Sequence, residues 1–159
     1  HRLDMLESLL PAEPTRVVIA DSLLGATIRW RTSDVSTSSF DAFVDAGLLS
    51  TIDNLELRRM ISSFPAVLED LQEDERLAQN YVETVFGPFL AEHGMGRIAY
   101  ANRNREDMST GASEVLVPAS FTGMLAARQT HLAFIISTMD GVEDFLVDMR
   151  EGIDAELAR

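Results

Sequence analysis

The sequence predicts an all-α fold: a helical bundle with two long helices, several short helices and an irregular loop or small hairpin near residues 97–118. Three observations predict it. Apolar residues recur every three or four positions through most of the chain rather than every second one. Residues 121–153 alternate spacings of four and three without a slip. The segment boundaries carry helix-start and helix-stop chemistry, with Asp53, Gly47 and Gly94 at the positions that need it. The 159 residues, 46% hydrophobic and 25% charged, read as one globular domain spanning 1–159. A chain of this size buries roughly two-thirds of its unfolded surface.

Taken in order, Leu3, Leu6, Leu9 and Leu10 form the last turns of an amphipathic helix that Pro11 and Pro14 end. Thr15 can cap a second helix carrying Val17, Ala20, Leu24 and Ile28, with Leu23 and Trp30 beside them. The β-branched run Val17 to Ile19 would instead suit a strand, although the period over the whole segment is nearer 3.6 than 2. The polar run Thr32 to Ser39 is a loop.

The stretch AFVDAGLLSTIDNLELRRMI, residues 42–61, is the most patterned in the chain. Ser38 or Ser39 starts a short helix through Phe40, Phe43 and Val44. Gly47 stands where a left-handed residue closes a helix, with Leu48 folding back on Phe43. Asp53 and Glu56 have the spacing of a capping box, flanked by Ile52 and Leu57 as a hydrophobic staple. Such devices stabilise by about 0.5–2 kcal/mol, so these acids are assigned to starting a helix over 54–63 rather than to catalysis.

Phe64-Pro65 then predicts a break, because a residue before proline avoids the helical region. The first long helix follows over 65–86, with Val67, Leu71, Ala78, Val82 and Val85 on one face and Leu68, Tyr81 and Phe89 flanking it. Glu69, Asp70, Glu73, Asp74 and Glu75 crowd its start, where the helix dipole favours negative charge. Gly87-Pro88 kinks it, and Gly94 and Gly96 end it. RIAYANRNRED and STGAS read as loop, EVLVP as a short strand. The second long helix, near 120–157, carries the row Phe121, Leu125, Arg128, Leu132, Ile135, Met139, Val142, Leu146, Met149 and Ile153, a heptad seam interrupted only by Arg128.

SFDAFVDAGLLSTIDNLELRRMISSFPAVLEDLQEDE resembles the recurring core of an uncharacterised family of bacterial, membrane-anchored, all-helical extracytoplasmic domains. The residues that carry the likeness are FDAFVDAG at 40–47, LLSTIDNLELR at 48–58 and LEDLQEDE at 68–75. Ala46 stands where that family commonly has serine, and Phe64 where tryptophan is common. The likeness covers roughly residues 15–90 by motif and the last helix by pattern only. It implies an N-terminal membrane anchor, a preceding long helix and a periplasmic or other extracytoplasmic location, and it brings no catalytic residue. The helix stub at Leu3–Leu10 is expected to continue such a missing helix, running antiparallel to residues 140–157.

The chemistry is sparse. Acidic residues number 26 against 13 basic, a net charge of −13, which argues against nucleic acid and anionic lipid and favours cationic or neutral partners. The absence of cysteine removes thiols, disulfides and sulfur-ligated metals. No apolar run reaches the roughly 18 residues of a membrane span. His93 and His131 lack ligand spacing, His1 is set aside as a cloning remnant, and no H-E-x-x-H, G-x-S-x-G or P-loop occurs. The acids 69–74 lie on one exposed helix and lack the convergence of a cation cage. Arg58 is expected to pair with Asp41 or Glu69, and Trp30 between Arg29 and Arg31 to be a buried indole flanked by solvated guanidiniums. No catalytic, cofactor or metal residue is therefore assigned, and no cofactor. The expected function is a non-catalytic, membrane-tethered helical interaction or scaffold domain. The alternatives are a ligand-sensing helical bundle and an enzyme of unknown class. Its partner would be another protein or a second copy, met through Val142, Leu146, Met149 and Ile153 on the last helix.

Overall fold

The computed structural model describes residues 2–7, 10, 13–30, 32–33, 35–105 and 111–158. The chain is mostly helical, with one small two-stranded sheet. In order the elements are α1 (Arg2–Glu7), β1 (Thr15–Ala20), α2 (Asp21–Thr27), α3 (Ser38–Asp45), a 3-10 turn (Leu48–Thr51) and α4 (Leu55–Tyr81). A π-helical turn (Val82–Phe86), α5 (Gly87–Glu92), α6 (Gly96–Asn102), β2 (Ala112–Val117) and α7 (Ser120–Leu157) follow. The chain forms two compact units, residues 1–31 with 75–134 and residues 32–74 with 135–159.

In the first unit the expected helix from Thr15 is half strand. Val17, Val18 and Ile19 pair antiparallel with Val115, Glu114 and Ser113. Burial alternates accordingly: Ile19, Val115 and Val117 are buried, while Val18 and Leu116 face outward. The helix-like period over 17–28 came from α2, which places Leu23, Leu24 and Ile28 in the same core. β-branched residues settle for the extended state here because a partner strand exists. That partner comes from a region about 95 residues further on, so the sheet is not the local hairpin expected near 97–118. Within that region residues 97–102 are helical, as part of α6, which Gly96 opens rather than ends, while the short strand expected at EVLVP is present as β2. Asp21 joins the two elements, since its Oδ1 accepts from Ser113 Oγ at 2.7 Å and its backbone N–H donates to the Gly111 carbonyl at 3.2 Å.

α2 packs closely on α6. A Cβ placed on Gly25 would lie 2.2 Å from the backbone oxygen of Asn102, so only glycine fits. Leu3 and Leu6 of α1 are buried in this core with Ile19 and Leu23. α1 is thus part of the first unit. Its apolar face is satisfied inside the first unit.

The second unit corrects two further expectations. α4 runs unbroken for 27 residues through Pro65. Proline deprives the Ile61 carbonyl of its helical donor, but Ile61 and Phe64 are both buried. Ser62 Oγ and Ser63 Oγ donate to the neighbouring carbonyls of Arg58 and Met60 at 2.8 and 3.0 Å. Buried on α4 are Leu57, Ile61, Phe64, Leu68, Leu71, Glu75, Ala78 and then Val82, a four–three alternation as regular as the one read on α7. The π-helical turn then takes up one extra residue, so Phe86 is buried where Val85 was expected and Val85 is exposed.

The expected Asp53–Glu56 capping box is displaced by one residue. Asn54 caps α4: its Oδ1 accepts from the backbone N–H groups of Glu56 and Leu57 at 3.0 and 3.2 Å. The amides of Asp53 and Asn54 donate instead to Oε1 of Glu156 on α7, at 2.5 and 3.3 Å. Gly47 adopts φ 71° as expected and donates to the Val44 carbonyl at 2.9 Å.

Two pairs of substitutions check this account by chemical denaturation. Gly25→Ala lowers stability by about 1–3 kcal/mol through overpacking. Gly123→Ala, in helix α7 with open space around it, raises stability by about 0.5–1 kcal/mol. Asn54→Ala costs about 0.5–2 kcal/mol, whereas Asp53→Ala leaves stability within about 0.5 kcal/mol of the parent; a larger loss at Asp53 than at Asn54 would return the cap to the acid.

Candidate interaction surface

The histidines and arginines singled out in the sequence are engaged by local structure, and most of the clustered acids face outward. His93 Nδ1 lies 2.9 Å from the Phe89 carbonyl, with its ring 4.4 Å from that of Phe89. The His131 ring lies 5.0 Å from Tyr81. Glu69, Asp70 and Glu73 are exposed, Glu75 is buried, and Asp74 accepts from Thr138 Oγ1 at 2.5 Å. Among the described residues no group of His, Asp and Glu is arranged to hold a metal ion. Arg58 donates to the backbone carbonyl of Ile52 rather than to Asp41 or Glu69. Trp30 is half-buried and carries the Arg103 guanidinium 4.8 Å above its ring, while Arg29 donates to the carbonyls of Arg103 and Arg105 at 2.9 and 2.7 Å. Arg31, expected on the other side of the indole, lies outside the described residues.

Arg128, the one break in the α7 seam, is the least ordinary polar residue. It is only 1% exposed. Its Nε and Nη2 donate to the carbonyls of Thr27 and Arg29 at 3.3 and 2.6 Å, and Nη1 is buried without a hydrogen-bond partner. Those carbonyls end α2, where orphan acceptors and the negative end of the dipole favour a cation. Burial pushes the guanidinium down to about 10, opposed by the nearby Tyr81, so it remains charged at neutral pH. Tyr81, raised by burial, donates its hydroxyl to the Met124 carbonyl at 2.8 Å. A guanidinium closing a helix end is a structural use, and nothing about it requires a substrate.

The concave features of the second unit are lined mainly by apolar residues. Splitting the α7 seam into its two heptad rows shows why. Phe121, Arg128, Ile135, Val142 and Met149 are buried or half-buried throughout. The other row goes from buried Leu125 and half-buried Leu132 to Met139, Leu146 and Ile153, which are 47, 43 and 39% exposed. Beside that exposed row, Leu71, Val142, Leu146 and Val147 line a groove of about 490 Å³ together with Asp140 and Glu143. Further along, a cleft of about 440 Å³ lies among Phe40, Phe43, Ile52, Leu57, Ile61 and Met149. Sequence spacing marked the seam but not the groove, because which heptad row is covered depends on where Leu71 and Val35 lie.

No family model, curated protein or solved structure matches the chain.

Arg128 supplies the test proper to this region. For a base, a folded value below the ordinary guanidinium range means that its charge costs stability below about 10 and that this cost is relieved as the pH rises beyond it. Arg128→Ala removes two carbonyl partners and leaves a cavity, and is expected to cost about 2–5 kcal/mol. The loss should be constant across the neutral range and insensitive to salt, as for a buried group, in urea denaturation followed by circular dichroism.

Proposed function

We propose that this chain is a non-catalytic helical interaction domain whose contact surface is the exposed apolar row on the second half of α7. The observation that carries the reading is the exposure of Met139, Leu146, Val147 and Ile153 along the second half of a single helix, the first three of them at the groove and Ile153 at the neighbouring cleft. Apolar rows of this kind on a folded domain mark partner contacts. The partner is a protein, either another chain or a second copy. A membrane tether and an extracytoplasmic location belong to the proposal through the family resemblance. No helix among the described residues is long and apolar enough to cross a membrane, so the tether would lie elsewhere in a longer protein.

The cleft among Phe40, Phe43 and Met149 favours a second reading, a sensor of small apolar ligands. Its volume of about 440 Å³ lies within the usual range for ligand sites, and its lining is of the apolar kind such sites use. The two readings differ in what occupies the second unit: a protein helix on the α7 face, or a small molecule between α3 and α7.

The double substitution Leu146→Glu with Ile153→Glu distinguishes a contact face from a buried one. If the row is a contact face, the variant keeps its helical spectrum and its stability within about 1 kcal/mol, and loses binding of a hydrophobic dye several-fold. A loss of more than about 3 kcal/mol, the cost of a disrupted core, would show that the row belongs to the interior.

A further inference from the structure

The reading of α7 as a contact surface leaves its partner open; resting on that reading, the charge around the groove selects one. Between Ile135 and Ala158 the helix carries seven acids, Asp140, Glu143, Asp144, Asp148, Glu151, Asp154 and Glu156, against the single base Arg150. Six of the seven are exposed. Asp140 and Glu143 stand at the groove itself, whose floor is the buried pair Leu71 and Val142 and whose walls include Met139, Leu146 and Val147. We propose that this groove binds a basic amphipathic helix from another protein, with apolar anchors on the floor and lysine or arginine against Asp140 and Glu143.

Three physical points favour that occupant over others. A second copy would bring the same acidic segment against itself, between chains that each carry a net charge of −13, and such self-repulsion opposes association. An anionic lipid surface is repelled for the same reason. A helix is the natural guest because the groove runs along α7 from Met139 to Arg150, about 17 Å or three helical turns. That length takes anchors spaced i, i+3 or i+4, and i+7. Arg150 sets the polarity: the negative dipole end of the guest, its C-terminus, belongs beside Arg150, leaving the basic turns at Asp140 and Glu143.

Fluorescence anisotropy with a labelled peptide of about 18 residues, leucine on one helical face and lysine elsewhere, tests the proposal. A second peptide has the same composition in an order with no apolar face. The amphipathic probe is expected to bind in the micromolar range, and the scrambled one roughly tenfold more weakly. Leu146→Asn, or Val147→Asn should the first fail to fold, should weaken the amphipathic probe roughly tenfold. Asp140→Asn with Glu143→Gln should weaken it and flatten its salt dependence. Leu116→Asn, at an exposed position of β2, should change nothing. Equal binding of both peptides, or equal weakening by the β2 substitution, would mean general attraction to an acidic protein and overturn the site. So would sedimentation showing a dimer that Leu146→Asn dissociates, since the face would then belong to a second copy. That dimer would leave α7 a contact surface, whereas collapse of the fold on substituting Leu146 and Ile153 would remove the contact reading itself.

Discussion

The continuity of α4 across Pro65 is the constraint on which the rest of the structure depends. Because the helix does not break, Leu57, Ile61, Phe64, Leu68 and Leu71 fall on one row that continues through Glu75, Ala78 and Val82. Had the chain turned at Phe64, the small core of Ile52, Leu57 and Ile61 would have stood on a short helix over 54–63 rather than on one of 27 residues. Instead Phe64 itself is packed between Phe40, at 5.3 Å edge to face, and Phe145, stacked at 6.3 Å. Aromatic packing of this kind adds about 0.5–1.5 kcal/mol per pair beyond area burial. Together with the buried apolar neighbours it is comparable with the roughly 3 kcal/mol that an interior proline costs. Tertiary burial thus decides a position at which local propensity points the other way.

The same competition explains what could and could not be read from the residues alone. The α7 seam was legible because its period is uninterrupted over ten positions, and Gly47 because a left-handed turn admits few other residues. The α4 seam has the same regularity but was hidden by a local rule, the break expected at Phe64-Pro65. Val17–Ile19 was ambiguous in principle, since whether a β-branched run becomes strand depends on whether residues 112–117 are there to pair with it. The cap at Asn54 rather than Asp53 turns on one residue of helix register, and the carboxylate that takes over the preceding amides, Glu156, is about a hundred residues away. No local spacing announces such a partner. The groove was illegible for a related reason: the heptad names the apolar positions, while burial of one row and exposure of the other is set by neighbours on other elements.

Two charged side chains interrupt the two seams, Glu75 on α4 and Arg128 on α7, and both are buried. At Arg128 the interruption has a visible cause. The end of α2 leaves carbonyls inside the first unit, and a guanidinium can reach two of them where an aliphatic residue at the same heptad position could reach none. A leucine there would fit the seam better and leave the carbonyls of Thr27 and Arg29 without their donor, at roughly 1–3 kcal/mol each. The charge is therefore tolerated because it ends a helix, and it also fixes the rotational setting of α7 against α2, since an apolar seam alone slides more easily than one with a directional bond.

The second half of α7 is where the proposed function lies. Ile135, Val142 and Met149, spaced by sevens, are buried or half-buried within the second unit, and the adjoining row of Met139, Leu146 and Ile153 is exposed. How far that second row is covered then depends only on what packs beside it. In the first unit Leu125 is covered by the core that includes Phe121 and Phe86. In the second, the neighbours are the short α3, the loop at Ser33 and Val35, and α4, which leave the row partly open and a groove alongside. An exposed apolar row on a helix this acidic is not one that aggregates freely, because the carboxylates around it repel another copy of themselves. If the row takes the basic helix proposed for it, the acidic composition of the chain is part of the recognition rather than a property of its solubility alone.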